Sequence, residues 1–510
     1  MAGRWPLRAL AGALAGGMLI VCGPLARAQL TTASAATPVA QVFLVQNSGW
    51  MEPFYSDPAS QYKALITELV LAATRPGDAM VLAAFNQSLP DAPSPRALLA
   101  LQVTAPPRAQ VTAALAGLDT ATKPGTTALA DTDLQEALSA AIGTALAGKP
   151  GLVWLFTNNK NSPNNDQATA RRNREFYRLI HQGAAIRTAL AFPLHMPVRG
   201  RHYQASGLMV YVFAIGEQGA RQLDALLDTG RIHTVISETP ARLKPLDRDT
   251  VRLAPAKVAD APGVRFSMAP GGMLVADVEA GASAPAASMV WKLENRVYPY
   301  TIASATLSAR SALAGQDQPI TLDNDQVRNL APGASAPLAA VLRLPVAQLP
   351  SKWSAQAIGS AGSAYVLPGK IALQLREQKL ELSQAFTSRM AALFPGDPLP
   401  DIFTPPARVQ GSQALLPIEV RVHFGLAPLL TLIGAVLALL AALAGALVAL
   451  TRPRKVLLTV DGEARTVTTR PGTRYPVYDQ AGAQVAQLES GWFGHRLAHL
   501  REGAQVRLGR

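Results

Sequence analysis

Short apolar segments alternate with segments of helical periodicity through the first half of the chain. Val42 to Val45 is an unbroken apolar run, which predicts a strand buried on both faces. Apolar positions then recur at helical spacing from Tyr62 to Ala73, until Pro76-Gly77-Asp78 ends the helix. Met80 to Phe85 is again continuously apolar and predicts the next strand.

The same alternation continues as far as residue 235. Further strands are predicted near residues 99–103, 152–157, 188–192 and 209–215, and further helices near residues 110–118, 134–146, 176–180 and 219–227. Strands that alternate with helices are typical of a parallel sheet covered on both faces. We therefore predict a doubly wound α/β domain over residues 38–235.

The pattern changes over residues 250–425. Helical periodicity is rare there, and short apolar runs are separated by turns rich in Pro and Gly, which predicts one or two β-sandwich modules. A helix near residues 382–393 interrupts this region. Apolar residues alternate with polar ones from Ile418 to Phe424, which indicates a half-exposed strand.

A segment without charge, residues 426–450, follows and is long enough to cross a membrane as a helix. Arg452, Arg454 and Lys455 come directly after it, so the positive-inside rule predicts that this end lies in the cytoplasm. Two hairpin patterns follow, one of them around Asp461-Gly462. We predict a small all-β cytoplasmic domain over residues 452–510.

The first 28 residues have the pattern of a secretory signal peptide. Arg4 and Arg8 precede an apolar stretch that ends in Ala26-Arg27-Ala28. A lipoprotein signal at Cys22 and an uncleaved anchor are the alternatives. The main prediction is a single-pass protein of the bacterial inner membrane, with an N-terminal ectodomain in the periplasm and a C-terminal tail in the cytoplasm.

Composition narrows the class of function. Hydrophobic residues make up 49% of the 510 residues and charged residues 16%, which fits a membrane-anchored chain. The net charge of +13 is spread along the chain without a basic run that contains aromatic residues, so we expect no nucleic-acid partner. Cys22 is the only cysteine, which excludes disulfides and cysteine-based metal sites from the cleaved chain.

The loop after the first strand, Gln46-Asn47-Ser48-Gly49-Trp50, resembles the first metal-site motif of von Willebrand factor A (VWA) domains. That motif reads Asp-x-Ser-x-Ser, and its three positions fall on Gln46, Ser48 and Trp50. Thr132 stands where the family has its metal-site Thr, although a helix cap formed with Gln135 is an equally available role. Asn158 replaces the Asp that ends the corresponding later strand of the family.

The resemblance implies a ligand-binding face at the strand ends. Mg²⁺ prefers anionic oxygen ligands, and both carboxylate positions of the motif are amides here. We therefore predict no metal and no other cofactor, with Asp131 or Asp133 as the only residues that compensate. The candidate face is a neutral, hydrogen-bonding surface with one aromatic anchor, formed by Gln46, Asn47, Ser48, Trp50, Thr132, Asn158 and Asn159.

A VWA-like domain implies binding of a protein partner in the periplasm or inner membrane. We predict an envelope-anchored binding or scaffold protein that takes no small-molecule substrate and has no catalytic residue. An accessory subunit of a larger inner-membrane assembly and a metal-dependent VWA adhesion protein are alternatives. A hydrolase of envelope polymers is a further alternative, since Glu52 and Asp57 form a carboxylate pair near the first loop.

Overall fold

The computed structural model describes residues 38–161, 167–279, 286–313, 315–344, 349–396, 399–407 and 409–509. The predicted signal peptide and Cys22 lie outside these residues. Within them the chain forms a mixed α/β region, a large β region, a long apolar helix and a small β region.

The first region is built on a sheet to which the described chain contributes seven strands, in the spatial order β3-β2-β1-β4-β6-β5-β7. Their bounds are β1 (Ala40–Gln46), β2 (Ala79–Phe85), β3 (Arg96–Gln102), β4 (Gly151–Thr157), β5 (Ile186–Arg199), β6 (Gln204–Ile215) and β7 (Ala241–Lys244). Strand β1 is central and runs parallel to both neighbours, with Val42 opposite Val81 and Val153. Its side chains are buried as the apolar run predicts.

The rest of this sheet is antiparallel, unlike the doubly wound sheet that the sequence predicts. Strand β6 runs antiparallel to β4, with Gly151 opposite Ile215. The reason is the short turn at residues 200–203, since strands joined by so short a connection pair as an antiparallel hairpin. The parallel part is therefore limited to β2, β1 and β4.

Helices cover both faces of the first sheet. Those before β7 are α1 (Glu52–Ser56), α2 (Tyr62–Ala73), α3 (Arg108–Ala116), α4 (Leu134–Ala140), α5 (Gln167–Gln182) and α6 (Gly216–Asp228). Helices α1, α2, α3 and α6 share one core with the sheet, and α4 and α5 share the core on the other face. A 3₁₀ turn, Gly49–Met51, joins β1 to α1, and a π-helical turn, Ala141–Ala145, extends α4.

One helix from much later in the chain also packs on this sheet. Helix α8 (Gln384–Leu393) and the 3₁₀ helix Leu399–Phe403 place Phe386, Leu393 and Phe403 in the same core as α4 and α5. Arg389 Nη2 donates a hydrogen bond of 2.9 Å to the Pro193 carbonyl of β5. The sequence places this helix within the β region, whereas the structure packs it against the α/β region.

The β region is one connected sheet, in which the described residues contribute ten strands and α7 (Ala355–Gly359). The strands are β8 (Val251–Val258), β9 (Val264–Ala269), β10 (Met273–Glu279), β11 (Ala286–Asn295), β12 (Tyr300–Leu313), β13 (Gln316–Leu322), β14 (Gln326–Leu330), β15 (Ser335–Arg343), β16 (Ala364–Leu382) and β17 (Gln413–His423). Strand β13 pairs with both β12 and β15, which joins what a sandwich would keep as two sheets. The sheet curls around a single core and is nearly closed, so the predicted β-sandwich is corrected to a barrel-like sheet.

Helix α9 (Ala427–Thr451) has 25 residues, a mean hydropathy of 2.6 and exposed side chains along its length, so it is long and apolar enough to cross a membrane. After it come β18 (Arg454–Val460), β19 (Glu463–Thr469), β20 (Thr473–Tyr478), β21 (Gln484–Ser490), β22 (His495–Ala498) and β23 (Val506–Leu508). These strands form two small sheets around one core, as the hairpin patterns predict. Asp461 and Gly462 both have positive φ, which suits the tight turn between β18 and β19.

Candidate functional site

Three loops meet at the carboxyl ends of β1 and β4, where the sequence places its candidate face. The buried Gln46 amide donates from Nε2 to Ser48 Oγ (2.7 Å) and to Thr132 Oγ1 (2.9 Å). The Thr132 hydroxyl in turn donates to Ser48 Oγ. Gln46 Oε1 accepts a hydrogen bond of 3.3 Å from the Asn158 backbone. One amide thus connects all three loops.

Two tyrosines fix the backbone at the same point. The hydroxyls of Tyr55 and Tyr62 donate to the Gln46 carbonyl at 2.8 Å and 3.0 Å. Burial raises the pKa of both hydroxyls far above the usual value for tyrosine, so both stay protonated donors. The end of β1 is therefore held on its side chain and on its backbone.

The start of α4 differs from the capping box that Thr132 and Gln135 offer in sequence. Asp133 is the N-cap residue, and its Oδ1 accepts a hydrogen bond of 2.9 Å from the Glu136 backbone. Because the cap is one residue later, the Thr132 hydroxyl is free to enter the buried network with Gln46. The Gln135 side chain instead bonds Ser139 on the same helix.

The asparagines of the candidate face are also bound within the domain. Asn158 Nδ2 donates to the Trp50 carbonyl (2.8 Å), and Asn159 Oδ1 accepts from the Tyr211 hydroxyl. Asn47 Nδ2 donates to the Asp119 carbonyl at 3.2 Å. These side chains tie neighbouring loops to the sheet.

Burial decides which predicted residues are accessible. Six of the seven are buried: Gln46, Asn47, Ser48, Thr132, Asn158 and Asn159. Only Trp50 is half-buried. The structure brings the seven residues together as the sequence predicts, but it uses most of them as an internal polar network instead of an exposed surface.

Trp50 lies at the edge of this network. Its ring contacts Tyr203 at a centroid distance of 4.5 Å, and Lys160 Nζ lies 4.3 Å from the ring centroid, close enough for a cation–π interaction. Trp50 Nε1 is buried and has no hydrogen-bond partner among the described residues. Trp50 is therefore held by ring contacts while its indole donor remains unused.

A cavity of about 360 Å³ opens beside the Trp50 ring. It lies between the loop after β4, the β5–β6 hairpin and the end of α8, and its charged lining residues are Lys160, Arg199 and Asp57. Asn47 lines a second cavity of about 540 Å³ on the other side of the first loop. The accessible part of the candidate face is thus concave and flanks the buried network.

The carboxylates near the first loop hold the β5–β6 hairpin in place. Glu52 accepts hydrogen bonds from the backbone of Arg201 (2.9 Å) and His202 (3.2 Å) and from the Ser56 hydroxyl. A Cβ atom at Gly200 would lie 2.0 Å from Glu52 Oε2, so only glycine permits this approach. Asp57 accepts from the Arg199 backbone at 2.8 Å.

These bonds affect the charge of Glu52. Burial raises the pKa of the Glu52 carboxyl, but the hydrogen bonds from Arg201, Ser56 and His202 together outweigh it and leave the pKa below its usual value. Glu52 and Asp57 therefore act as anionic anchors for a hairpin, a role that supports structure rather than acid–base chemistry. Sequence reasoning missed Tyr203 and Arg199 as site residues, since only pairing of the hairpin against β4 brings them to Trp50.

The donor set does not fit a divalent cation. In the described ranges no group of three or more His, Cys, Asp and Glu side chains is placed to hold a metal ion. Asp131 is paired with Lys123 at 2.8 Å and Asp133 with Arg172 at 3.3 Å, so neither turns toward Gln46 to compensate. The lone pairs of Ser48 and Thr132 that a cation would need already accept hydrogen bonds from Gln46.

The chain matches no protein-family model and no curated protein sequence. A search of solved structures returned, among others, the crystal structure of CfaE, the adhesive subunit of CFA/I fimbria of enterotoxigenic Escherichia coli. That structure is 8% identical, with a TM-score of 0.11, and the match covers 46% of this chain and 72% of that chain. A likeness at this TM-score carries no argument about fold or function.

Proposed function

We propose that this chain is a membrane-anchored binding protein of the bacterial envelope, whose α/β domain resembles a VWA domain and holds a protein partner without a metal. The observation that carries the proposal is the Gln46 amide, which donates to both hydroxyls that would otherwise be metal ligands. The hydrogen-bonded amide stabilises the three loops in one arrangement and leaves a cavity beside Trp50 for a partner.

The VWA resemblance is supported by the central strands and the loops after them. Strands β2, β1 and β4 lie side by side and parallel, with helices on both faces. The loops that carry Ser48, Thr132 and Asn158 meet at the carboxyl ends of these strands, where ligands bind in open α/β sheets. The antiparallel β6 departs from the doubly wound pattern that the resemblance implies.

The chemistry of the cavity favours an acidic group on the partner. Lys160 and Arg199 contribute two positive charges to its lining, against one negative charge from Asp57. The Asp57 carboxylate already accepts backbone hydrogen bonds from Arg199 and Ala59. A carboxylate side chain of the partner, seated beside the Trp50 ring, would find both cations and the unused indole donor.

Membrane attachment completes the proposed function. Helix α9 would anchor the two preceding regions outside the cytoplasm and the small β domain inside it, as the charges after residue 451 indicate. The barrel-like sheet would hold the α/β domain away from the bilayer. The chain then presents the face around Trp50 to partners in the periplasm.

The test is photo-crosslinking in the membrane from a probe that replaces Trp50, with and without a chelator. A probe at Ala79 serves as the matched control, because this exposed residue begins β2 at the opposite end of the sheet. We expect one discrete adduct from position 50 that resists the chelator and is absent from position 79. An adduct lost with the chelator would contradict metal-free binding, and equal labelling from both positions would contradict this face as the site.

The alternative function, an accessory subunit of a larger inner-membrane assembly, predicts a different result. Partners would then co-purify with the intact chain through α9, and the probe at position 50 would give no adduct in folded, inserted protein. That outcome would move the binding surface from the α/β domain to the helix.

A further inference from the structure

The small β domain after α9 carries two large aromatic side chains that its own core does not cover. The loop between β21 and β22, residues 491–494, is called the aromatic loop here. In it the Phe493 side chain is 98% exposed and Trp492 is 45% exposed. The core of the domain, around Leu458 and Leu488, is fully buried a few residues away. No described residue of the domain packs over Phe493.

The aromatic loop lies at the end of the domain where the chain leaves α9. Ser490, just before the loop, donates from its hydroxyl to Thr469 Oγ1 at 3.1 Å. Thr469 is the strand partner of Arg454, and its hydroxyl donates to the Arg454 carbonyl at 3.3 Å. Arg454 starts β18 only two residues after α9 ends at Thr451. Three residue steps extend at most about 10 Å, so the loop is held near the end of the apolar helix.

Positive charge is concentrated at the same end of the domain. Arg452, Arg454, Lys455 and Arg470 are all exposed, and none of them forms an ion pair within the described ranges. The turn after Arg470 contacts the base of the aromatic loop, since the Gly472 backbone donates to the Ser490 carbonyl at 2.6 Å. Arg474 and Arg496 share the single carboxylate of Glu489. The surface around the loop is therefore basic.

We propose that the aromatic loop inserts Trp492 and Phe493 into the headgroup region of an anionic lipid bilayer, the same bilayer that α9 crosses. Trp is enriched at the membrane–water interface, and basic residues next to a membrane helix are attracted to anionic lipids. The short connection to α9 keeps the loop within reach of that surface. The docked domain would have a fixed orientation under the membrane instead of turning freely on its linker. This inference rests on the proposed membrane anchor.

The experiment uses the full chain with Cys22→Ser, so that an introduced cysteine is the only one. Phe493→Cys carries an environment-sensitive fluorophore, and the protein is placed at one copy per nanodisc of phosphatidylethanolamine and phosphatidylglycerol. Glu463→Cys is the matched control. Glu463 is exposed and pairs with Val460, at the far end of β18, about 20 Å from Arg454 at the usual rise per strand residue.

Lipids that carry a quencher in the headgroup region should quench the probe at 493 several-fold more than the probe at 463. The excess should fall at least twofold in phosphatidylcholine discs and with Arg470→Ser, whereas Arg507→Ser, near the far end of β18, should leave it unchanged. Equal quenching at 493 and 463 would overturn the inference. Excess quenching that is indifferent to lipid charge and to Arg470 would overturn the anionic surface as the partner.

Two further outcomes separate this inference from the proposals above. Quenching at 493 that requires two copies per disc would assign the aromatic loop to pairing between chains and overturn lipid docking. A chain that does not enter nanodiscs at all would overturn the anchor, and the inference with it. A chain that enters them without quenching at 493 would overturn the inference alone.

Discussion

Gln46 Nε2 lies 2.9 Å from the hydroxyl oxygen of Thr132, a residue 86 positions later in the chain. The same amide bonds Ser48 and, through its oxygen, the Asn158 backbone. A side chain that donates in place of a carboxylate that accepts turns a cation site into a closed polar network. This contact links the fold of the α/β domain to its proposed mode of binding.

The Gln46 network should contribute measurably to stability. Gln46→Leu removes the amide and leaves the Asn158 backbone N–H without its partner, so the free energy of unfolding should fall by about 1–3 kcal/mol. Chemical denaturation of the detergent-solubilised chain measures this change. Gln61→Leu is the control, since Gln61 is exposed and bonds only the Ala59 carbonyl. Equal effects of the two substitutions would argue against a stabilising network.

Mg²⁺ should leave the α/β domain unchanged. A ligand at 100 times its Kd stabilises the folded state by about 2.7 kcal/mol, so a working site would raise Tm at millimolar Mg²⁺. We expect the same Tm in MgCl₂ and in chelator at matched ionic strength, because Gln46 already occupies the lone pairs of Ser48 and Thr132. A clear rise with Mg²⁺ that NaCl does not reproduce would show that a metal binds.

The Glu52 anchor should make the stability of the hairpin depend on pH. The pKa of Glu52 is lowered in the folded state, so its contribution is present above the unfolded pKa of about 4.3 and is lost as the pH falls through the folded pKa. Glu52→Gln should cost about 1 kcal/mol at pH 7, and its difference from the wild type should shrink below about pH 4. Unfolding measured across this pH range tests the prediction.

Glu217→Gln is the control for the Glu52 substitution. Glu217 is paired with Arg187 on an exposed surface, so its loss should change stability little at any pH. A pH profile for Glu52→Gln that runs parallel to the wild type would mean that Glu52 does not hold the β5–β6 hairpin as an anion.

Gly49 should tolerate no side chain. A Cβ atom there would lie 2.6 Å from Leu129 Cβ, so Gly49→Ala should destabilise the domain by about 1–3 kcal/mol through displacement of the loop. Gly117→Ala is the matched control, because nothing lies within 4 Å of a Cβ at that position. Thermal unfolding of both variants gives the comparison, and similar Tm values would place Gly49 in a looser environment than described.

A charge in the middle of α9 should impair membrane insertion. Arginine at the centre of a spanning helix costs about 2.5–3.5 kcal/mol, so Leu439→Arg should shift the chain out of the carbonate-washed membrane fraction. Leu415→Arg, at an exposed position of β17, should leave the fractionation unchanged. Full retention of Leu439→Arg would contradict α9 as the anchor.

Local pattern in the sequence determined most of the individual elements. The apolar run at Val42–Val45 became β1, the helical stripe from Tyr62 became α2, and the predicted turn at Asp461-Gly462 joins β18 to β19. The uncharged segment became α9, one residue later than predicted. These features depend on neighbours within a few positions, since periodicity and turn chemistry report local burial and local backbone angles.

Only the tertiary structure decided how these elements pair and which polar groups meet. Strand β4 pairs with β6, the β region closes into one sheet through β13, and α8 packs on a sheet whose strands end 140 or more residues earlier. The sequence brings Gln46, Thr132 and Asn158 to one end of the sheet, but the direction of their hydrogen bonds depends on contacts 86 and 112 residues apart. Such contacts leave no periodic trace in the sequence, because packing across the whole domain sets them.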